Sequence, residues 1–462
     1  MQPHMLIKTT PYQHQCEAFS FCLQQPHTAL FMEQGTGKTL VAIAYIGHLF
    51  AKKKIKSALI ICPTTILSVW EQELEKHANY PYKATILDDG AKKASKLLTQ
   101  LHPFTDEWIN IIIVNYELVR SINGYLAGLD IDFILCDESH RIKNPKAKIS
   151  KFMHRFGKGA KHRMILTGTP VSQSPLDLWS QYQFLDPNIF KLSWWNFMRR
   201  YARMGGYKNK QIIGCKRLPE LTQTAHKISY RVRKQDALEL PPEVDLYRYS
   251  ELSSALMRQY KELQDEWKLT SQDYKVTIRN KLGQLLKLTQ FTNGFIRDSQ
   301  GNYQQIHDIK LRMLMEVIEA TEGKIVVFCR FLRELDTIAQ ALEKAGYHYV
   351  RIQGSVKKSL RVVVKDQFQT DPNIKVMLAQ IKTAGEGITL HAASTMVFYS
   401  LNYSHIDHQQ CRSRIHRIGQ EQKCTYVYLL IRGTIDERIK DILDRKGNVA
   451  TLSVDDWETL LS

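Results

Sequence analysis

The feature that most constrains the fold is a recurring pattern: short, almost uninterrupted apolar runs separated by stretches with helical spacing. In the first third these runs are TALFME (28–33), SALIICP (57–63), KATILD (83–88), NIIIVNY (110–116), DFILCDE (132–138) and RMILTGT (163–169). Runs so rich in β-branched residues, with little polar alternation, predict strands buried on both faces, hence a parallel sheet covered by helices. The last third repeats the pattern with KIVVFCR (324–330), YHYVRIQG (347–354), KVMLAQ (375–380), TMVFYS (395–400) and YVYLLI (426–431). The predicted fold class is α/β, with two parallel-sheet lobes. A length of 462 residues accommodates two such lobes plus insertions.

Between the lobes the texture changes. From Pro175 to Leu240 the chain is rich in aromatics and bases in patterns that look helical, and Pro241-Pro242 then interrupts it. A strand is predicted at Val244 to Tyr249, and Ser253 to Gln290 is dense in helix formers. The expected division is a first lobe at 1–180 and a basic aromatic helical insertion at 181–240. The second lobe starts with a helical insertion at 241–305 and continues through 306–462.

Composition narrows the function classes. With 24% charged and 10% aromatic residues, wholesale disorder is excluded. The apolar stretch Leu40 to Ala51 is 12 residues long and contains His48. A bilayer span needs roughly 20 residues, so this reads as a core helix and no membrane partner is expected. Met1 to Thr10 lacks a charged-then-apolar signal pattern, which points to the cytoplasm. None of the eight cysteines forms a C-x-x-C pair and several sit in strand-like runs, so buried free thiols, and no zinc, are expected.

The formal net charge of +18 favours a polyanion. It is concentrated: positions 190–240 carry 12 Lys/Arg against three acids, with Trp194, Trp195, Phe197, Tyr201, Tyr207 and Tyr230 interleaved. That mixture suits phosphate contact combined with packing or stacking.

The strongest chemical signal is Glu33-Gln34-Gly35-Thr36-Gly37-Lys38-Thr39, between a predicted strand and a predicted helix. A glycine-rich turn there exposes backbone N–H groups to phosphate, and the helix N-terminus adds a favourable dipole. Gly35, Thr36 and Gly37 would cradle the phosphates of ATP, Lys38 the β/γ-phosphates, and the Thr39 hydroxyl Mg²⁺. A strict phosphate-loop pattern has glycine six residues before the lysine, where this chain has Met32. About a hundred residues on, Asp137 and Glu138 follow an apolar strand in FILCDESH. Adjacent carboxylates can divide labour, Asp137 on the metal and Glu138 polarising the attacking water. Thr167-Gly168-Thr169-Pro170 ends another strand. Arg414 and Arg417 lie three apart and, on a helix, would share one face. Arginine supplies fixed charge to a transferring phosphoryl group.

Taken in order, Q-x-x-A, GTGKT, DESH, LTGTP and HRIGQ resemble helicase superfamily two, and within it the Swi/Snf-type DNA-dependent ATPases. ICPTTILSVWEQEL (61–74), with Pro63, Trp70 and Glu73, DESHRIKN (137–144), LTGTPVSQSPLDLW (166–179) and KTAGEGITL (382–390) are similar to further segments of that family. The resemblance runs from about Tyr12 to Ile439. It implies two RecA-like lobes with helical protrusions and the nucleotide site in the interlobe cleft. It also implies Gln15 as the adenine-reading residue, with Gln13 a competing register, and Arg414 and Arg417 as arginine fingers from the second lobe. Thr383, Gly385 and Gly387 would lie in a motif that senses nucleotide and touches DNA backbone. Further DNA candidates are Thr64 in the 61–74 segment and, from charge and neighbourhood, Lys143, Arg199, Arg200 and Lys234.

The chain departs from the family in three places. The common D-E-M-G-L-G-K-T is E-Q-G-T-G-K-T, Ser413 replaces an acid before the first finger arginine, and a double glycine reads Ala384-Gly385, followed by Glu386. None removes a residue that hydrolysis needs. The implied function is an ATP-dependent DNA motor using ATP and Mg²⁺. Its 462 residues leave no room for the partner-reading domains of chromatin remodellers, and the compact plan is similar to stand-alone, often bacteriophage-encoded, members. A DNA helicase or branch-migration enzyme acting on forked or junction DNA is therefore expected, in a bacterial or phage-infected cell; the sequence does not fix the oligomeric state and is compatible with a monomer. The alternative is a double-stranded DNA translocase that remodels protein–DNA complexes without strand separation. A nucleotide-gated DNA-binding module is disfavoured because Lys38, Glu138 and both arginines are present. A metabolic P-loop kinase leaves the second lobe unexplained.

Overall fold

The computed structural model describes residues 5–88, 90–99, 106–171, 174–205, 211–273, 278–297, 302–356, 358–383 and 388–454. The chain divides into two compact units, Met1–Glu239 with Lys446–Ser462, and Leu240–Arg445.

In the first unit the strands are β1 (His27–Met32), β2 (Ser57–Cys62), β3 (Tyr82–Leu87), β4 (Ile109–Asn115), β5 (Phe133–Asp137) and β6 (His162–Leu166), followed by the hairpin β7 (Ala202–Gly205)/β8 (Gln211–Cys215) and by β9 (Ser229–Val232). Seven of them form a parallel sheet in the order β3-β4-β2-β5-β6-β1-β9. Every residue of β2, β4 and β5 is buried, as a sheet covered on both faces requires. The two-residue repeat of the strand sends alternate side chains to separate cores. Leu59 and Ile61 of β2 join one, while Ala58, Ile60 and Cys62 join the other. The helix Lys38–Ala51 is buried along most of its length, the core helix expected there.

Segment 181–240 corrects the sequence reading. Helices occupy Trp194–Tyr201 and Leu218–Ala225, but the segment also contains β7, β8 and β9. β9 is no insertion: it pairs with β1 over Ala29↔Ser229 to Met32↔Val232 and belongs to the main sheet. Helical patterning hid it because it is short and at the sheet edge, where Tyr230 and Arg231 remain half-buried and need not be apolar.

In the second unit the strands are β10 (Glu243–Ser250), the short hairpin β11 (Phe295–Arg297)/β12 (Tyr303–Gln305), β13 (Lys324–Cys329), β14 (Tyr349–Ile352), β15 (Val376–Gln380), β16 (Ala393–Phe398) and β17 (Cys424–Ile431). Six of these form a second parallel sheet, β10-β17-β16-β13-β15-β14. It too separates two cores, Val326 and Phe328 facing one and Ile325, Val327 and Cys329 the other. The helix formers after Ser253 make the helices Ser254–Asp273 and Ile278–Thr292. All eight cysteines are free, six of them buried. Among the described residues no helix is long and apolar enough to cross a membrane.

Candidate active site

Parallel strands end together, so the loops after β1, β5 and β6 gather at one edge of the first sheet. Register makes this concrete: Leu30 of β1 pairs with Leu166 of β6, and Leu166 with Asp137 of β5. In open α/β sheets this carboxyl edge is where ligands bind.

The loop after β1 depends on its glycines. Gly35 and Gly37 have φ of 85° and 83°, a left-handed conformation that other residues strain to adopt. A Cβ on Gly37 would also overlap the Gln15 amide. Gly37 caps the helix Lys38–Ala51 with no side-chain bond, which leaves the first N–H groups of that helix for a ligand. Gln15 Nε2 donates to Thr36 O at 3.1 Å, and Gln15 Oε1 accepts from Tyr12 N at 2.9 Å. His14 Nε2 also bonds Thr36 O at 2.8 Å. Of the two candidate glutamines, Gln15 is the one built against the loop; exposed Gln13 pairs with Glu17. Thr36 Oγ1 donates to Glu33 O at 2.7 Å. Lys38 Nζ donates to Met32 O at 2.7 Å and Glu33 O at 3.2 Å. Desolvation pushes its amine pKa down, against the pull of nearby Glu138 and Asp137.

At the end of β5, Asp137 is buried and both its oxygens accept hydrogen bonds. Oδ2 takes the Trp70 indole N–H at 3.0 Å and Oδ1 the Glu138 N–H at 2.8 Å. Burial first, and Glu138 second, raise its pKa to about 6. Glu138 holds a left-handed backbone (φ 49°), a strained conformation for a non-glycine residue, and its carboxylate lies 3.2 Å from His140 Nδ1. The loop after β6 is joined to this motif by a buried relay. Ser139 Oγ donates to Gln181 Oε1 at 2.7 Å, and Gln181 Nε2 donates to Pro170 O at 2.7 Å.

Two features of this edge escape the sequence. The relay through Gln181 and the role of Arg231 have no motif of their own, and the 61–74 segment marks Trp70 without naming its partner Asp137. Arg231, on β9, donates to Phe31 O at 3.2 Å and Gly168 O at 3.4 Å and pairs with Glu33 at 3.4 Å. Glu33 also accepts the Lys234 backbone N–H at 2.9 Å. The edge strand thus clasps the start of the phosphate loop to the TGTP turn. The one available signal was a basic residue inside a β-capable tetrapeptide, SYRV.

The DNA candidates of the first unit are scattered. Thr64 is half-buried at the end of β2, and Lys143 lies 3.9 Å from Asp177. Arg199 and Arg200 are exposed on the Trp194–Tyr201 helix, Arg200 bonded to Glu220 at 2.6 Å. Lys234 follows β9.

In the second unit, Arg414 and Arg417 do not share a helix. The helix His405–Arg412 ends before them, and they occupy the turns that follow. Tertiary contacts impose this. Gln420 Nε2 donates to the carbonyls of His391, Ala393 and Ile415 at 2.9–3.1 Å, drawing the chain back onto β16. Arg412 is held by Asp245 at 2.5 Å and Glu243 at 2.8 Å. His416 pairs with Glu243, and the hydrogen bond from His416 together with the Arg412 guanidinium holds the Glu243 carboxyl down at about 2, against its burial. Arg414 is buried, Arg417 half-exposed. Thr383 is buried with its hydroxyl donating to Gln380 O at 2.6 Å. Gly385, Gly387 and the Ala384 and Glu386 departures lie outside the described residues, as do Tyr207, Lys208 and Lys210.

The donor set fits a nucleotide with a hard divalent cation. Backbone N–H groups and an ammonium suit phosphate, and a hydroxyl with a buried carboxylate suits the cation. Among the described residues no three or more His, Cys, Asp or Glu side chains are grouped so as to hold a metal ion by themselves.

The SNF2-related domain family matches residues 12–305, and the Helicase conserved C-terminal domain matches 309–419. Chromodomain-helicase-DNA-binding protein 1 of Gallus gallus is 26% identical over 434 residues, 89% of this chain and 24% of its own. The DNA annealing helicase and endonuclease ZRANB3 of Bos taurus is 27% identical over 460 residues, 96% of this chain and 40% of its own. The chain therefore spans well under half the length of these curated relatives. A solved Sulfolobus solfataricus SWI2/SNF2 ATPase core in complex with dsDNA is 26% identical, with 100% of this chain and 97% of that one covered and a TM-score of 0.46.

Proposed function

The chain belongs to the SNF2-related family, and from that premise we propose that it is an ATP-dependent DNA motor, a DNA helicase or branch-migration enzyme acting on forks or junctions. The observation that carries the reading is the meeting of the Lys38 loop with Asp137 and Glu138 at one sheet edge. Likeness to a DNA annealing helicase supports a motor that acts on the pairing of DNA strands.

When bound, ATP supplies the phosphoanhydride whose hydrolysis drives the cycle, and a divalent cation, Mg²⁺ in this proposal, offsets its charge. The residues do the rest. Lys38 and the N–H groups of Gly35 to Thr39 bind phosphate, while Gln15 braces the loop and presents its edge to the base. Asp137 and Thr39 hold the cation, with Asp137 oriented by Trp70. Glu138 accepts a proton from the attacking water. Arg414 and Arg417 of the second unit neutralise charge on the transferring group, so hydrolysis needs both units. The Ser139–Gln181–Pro170 relay carries the change at the acidic motif to the TGTP turn. DNA is gripped through its backbone, by Thr64, Lys143, Arg199, Arg200, Lys234 and Thr383 among other residues, which makes the motor sequence-independent and salt-sensitive.

The test is ATPase rate and strand displacement on matched single-stranded, blunt duplex, forked and four-way-junction DNA, with Glu138→Gln as control. Stimulation with displacement confined to forks or junctions is expected, and Glu138→Gln should lose about 10²–10⁴-fold in rate. Stimulation by plain duplex without displacement assigns a translocase instead. No stimulation by any DNA ends the motor reading.

A further inference from the structure

The Trp194–Tyr201 helix divides its aromatics in an unusual way. Phe197 and Tyr201 are buried, and Trp194 and Met198 pack partly against the same core. The ring centroids of Trp194 and Phe197 are 6.3 Å apart, of Phe190 and Phe197 5.0 Å, and of Phe197 and Tyr201 4.7 Å. Ser193 caps the helix, its side chain accepting from Asn196 N at 3.3 Å. The buried face is therefore rigidly anchored. On the opposite face Trp195 is 63% exposed, the most exposed large hydrophobic side chain among the described residues.

Arg199 follows Trp195 by one helical turn, so the two share a face. Arg199 is exposed and has no ion pair among the described residues, whereas its neighbour Arg200 is tied to Glu220. Lys191 and Arg203, at either end of the helix, are exposed as well. The helix and its ends thus present an exposed indole together with exposed Lys191, Arg199 and Arg203, while the acid Glu220 is paired with Arg200. This face has the two groups a single nucleic-acid strand uses: a flat surface on which an unpaired base stacks, and a cation for the adjacent phosphate. Paired bases inside a duplex present no free face, so the indole discriminates where charge alone does not.

We propose that Trp195 and Arg199 form a docking face for unpaired nucleotides of DNA, Trp195 stacking on a base and Arg199 contacting the neighbouring phosphate. The proposal rests on the DNA-motor reading and deepens it: a face selective for unpaired bases places the motor at the opened end of a fork.

Equilibrium binding of a labelled single-stranded oligonucleotide, and of a blunt duplex of equal length, tests this with the full chain and its Trp195→Ala, Trp195→Phe and Arg199→Ala variants. Thermal unfolding checks that each is folded. Trp195→Ala should weaken single-strand binding about tenfold and duplex binding less than about twofold, with Trp195→Phe retaining most of the affinity. Arg199→Ala should weaken single-strand binding and lower its salt dependence by about one phosphate contact. Equal loss on both DNAs, or no loss with Trp195→Ala, overturns the proposal and leaves the motor reading standing. Absence of DNA-stimulated ATPase in the wild-type protein ends the motor reading, while the binding ratio still decides the docking face.

Discussion

Trp70 and Asp137 show how one hydrogen bond can set the chemistry. The indole N–H is the only side-chain donor on the Asp137 carboxylate among the described residues, and both groups are buried. Trp70→Phe keeps the packing and deletes that donor. A hydrogen bond to a charged group contributes about 1.5–3 kcal/mol, so the variant should need about ten to a hundred times more divalent cation for half-maximal ATPase activity. Titrating the cation at saturating ATP and DNA checks this; an unchanged requirement would make Trp70 a packing residue alone. Glu334, in the second unit, is another buried carboxyl. Burial pushes it up to about 7, against hydrogen bonds from Ser400 and the Phe331 and Arg330 amides. Its Oε2 takes all three, and Oε1 has no partner. Because the folded state keeps this proton to about pH 7 and the unfolded chain only to about 4.5, stability falls as pH rises across that window. Glu334→Gln keeps one acceptor oxygen and removes the charge. It should gain about 1–3 kcal/mol at pH 8 and nothing near pH 4.5, as read by denaturant unfolding.

At the scale of elements, legibility followed burial. β2, β4 and β5 could be read from sequence because a central parallel strand is buried along its whole length and so mostly apolar, and SALIIC or NIIIVN fits little else. β9 could not, because SYRV sits at an edge where one flank needs no cover and Arg231 is wanted for its charge. The glycines of GTGKT and the DE pair were legible because loop chemistry demands those residue types. The turn bearing Arg414 and Arg417 was not, because Gln420, reaching three carbonyls, decides where the helix stops. Such long-range closure leaves no local pattern. β9 nonetheless reaches the site: Arg231 joins the carbonyls of Phe31 in β1 and Gly168 after β6 to Glu33. Arg231→Ala should loosen the phosphate loop and raise the KM for ATP about tenfold, with a smaller effect on kcat. Steady-state kinetics separate the two. A fall in kcat at unchanged KM would move Arg231 from positioning the loop to the hydrolytic step.

Across the whole molecule, each unit has its own sheet and its own pair of cores, so each can unfold as a domain. In the proposed mechanism the chemistry is divided between them. The first unit holds the phosphate loop and both acidic residues, the second Arg414 and Arg417. Binding and hydrolysis should therefore respond separately to mutation. A non-hydrolysable ATP analogue at a hundred times its Kd should stabilise the unit that binds it by about 2.7 kcal/mol. In a calorimetric scan this appears as an upward shift of one transition. In the proposed mechanism the arginines act on the transition state, so replacing both by alanine should preserve that shift while lowering DNA-stimulated ATP turnover about 10³-fold. If the double variant instead loses the shift, the arginines hold ground-state nucleotide and the division between a binding unit and an activating unit fails. If turnover persists, neither is a finger, and the second unit acts on DNA alone.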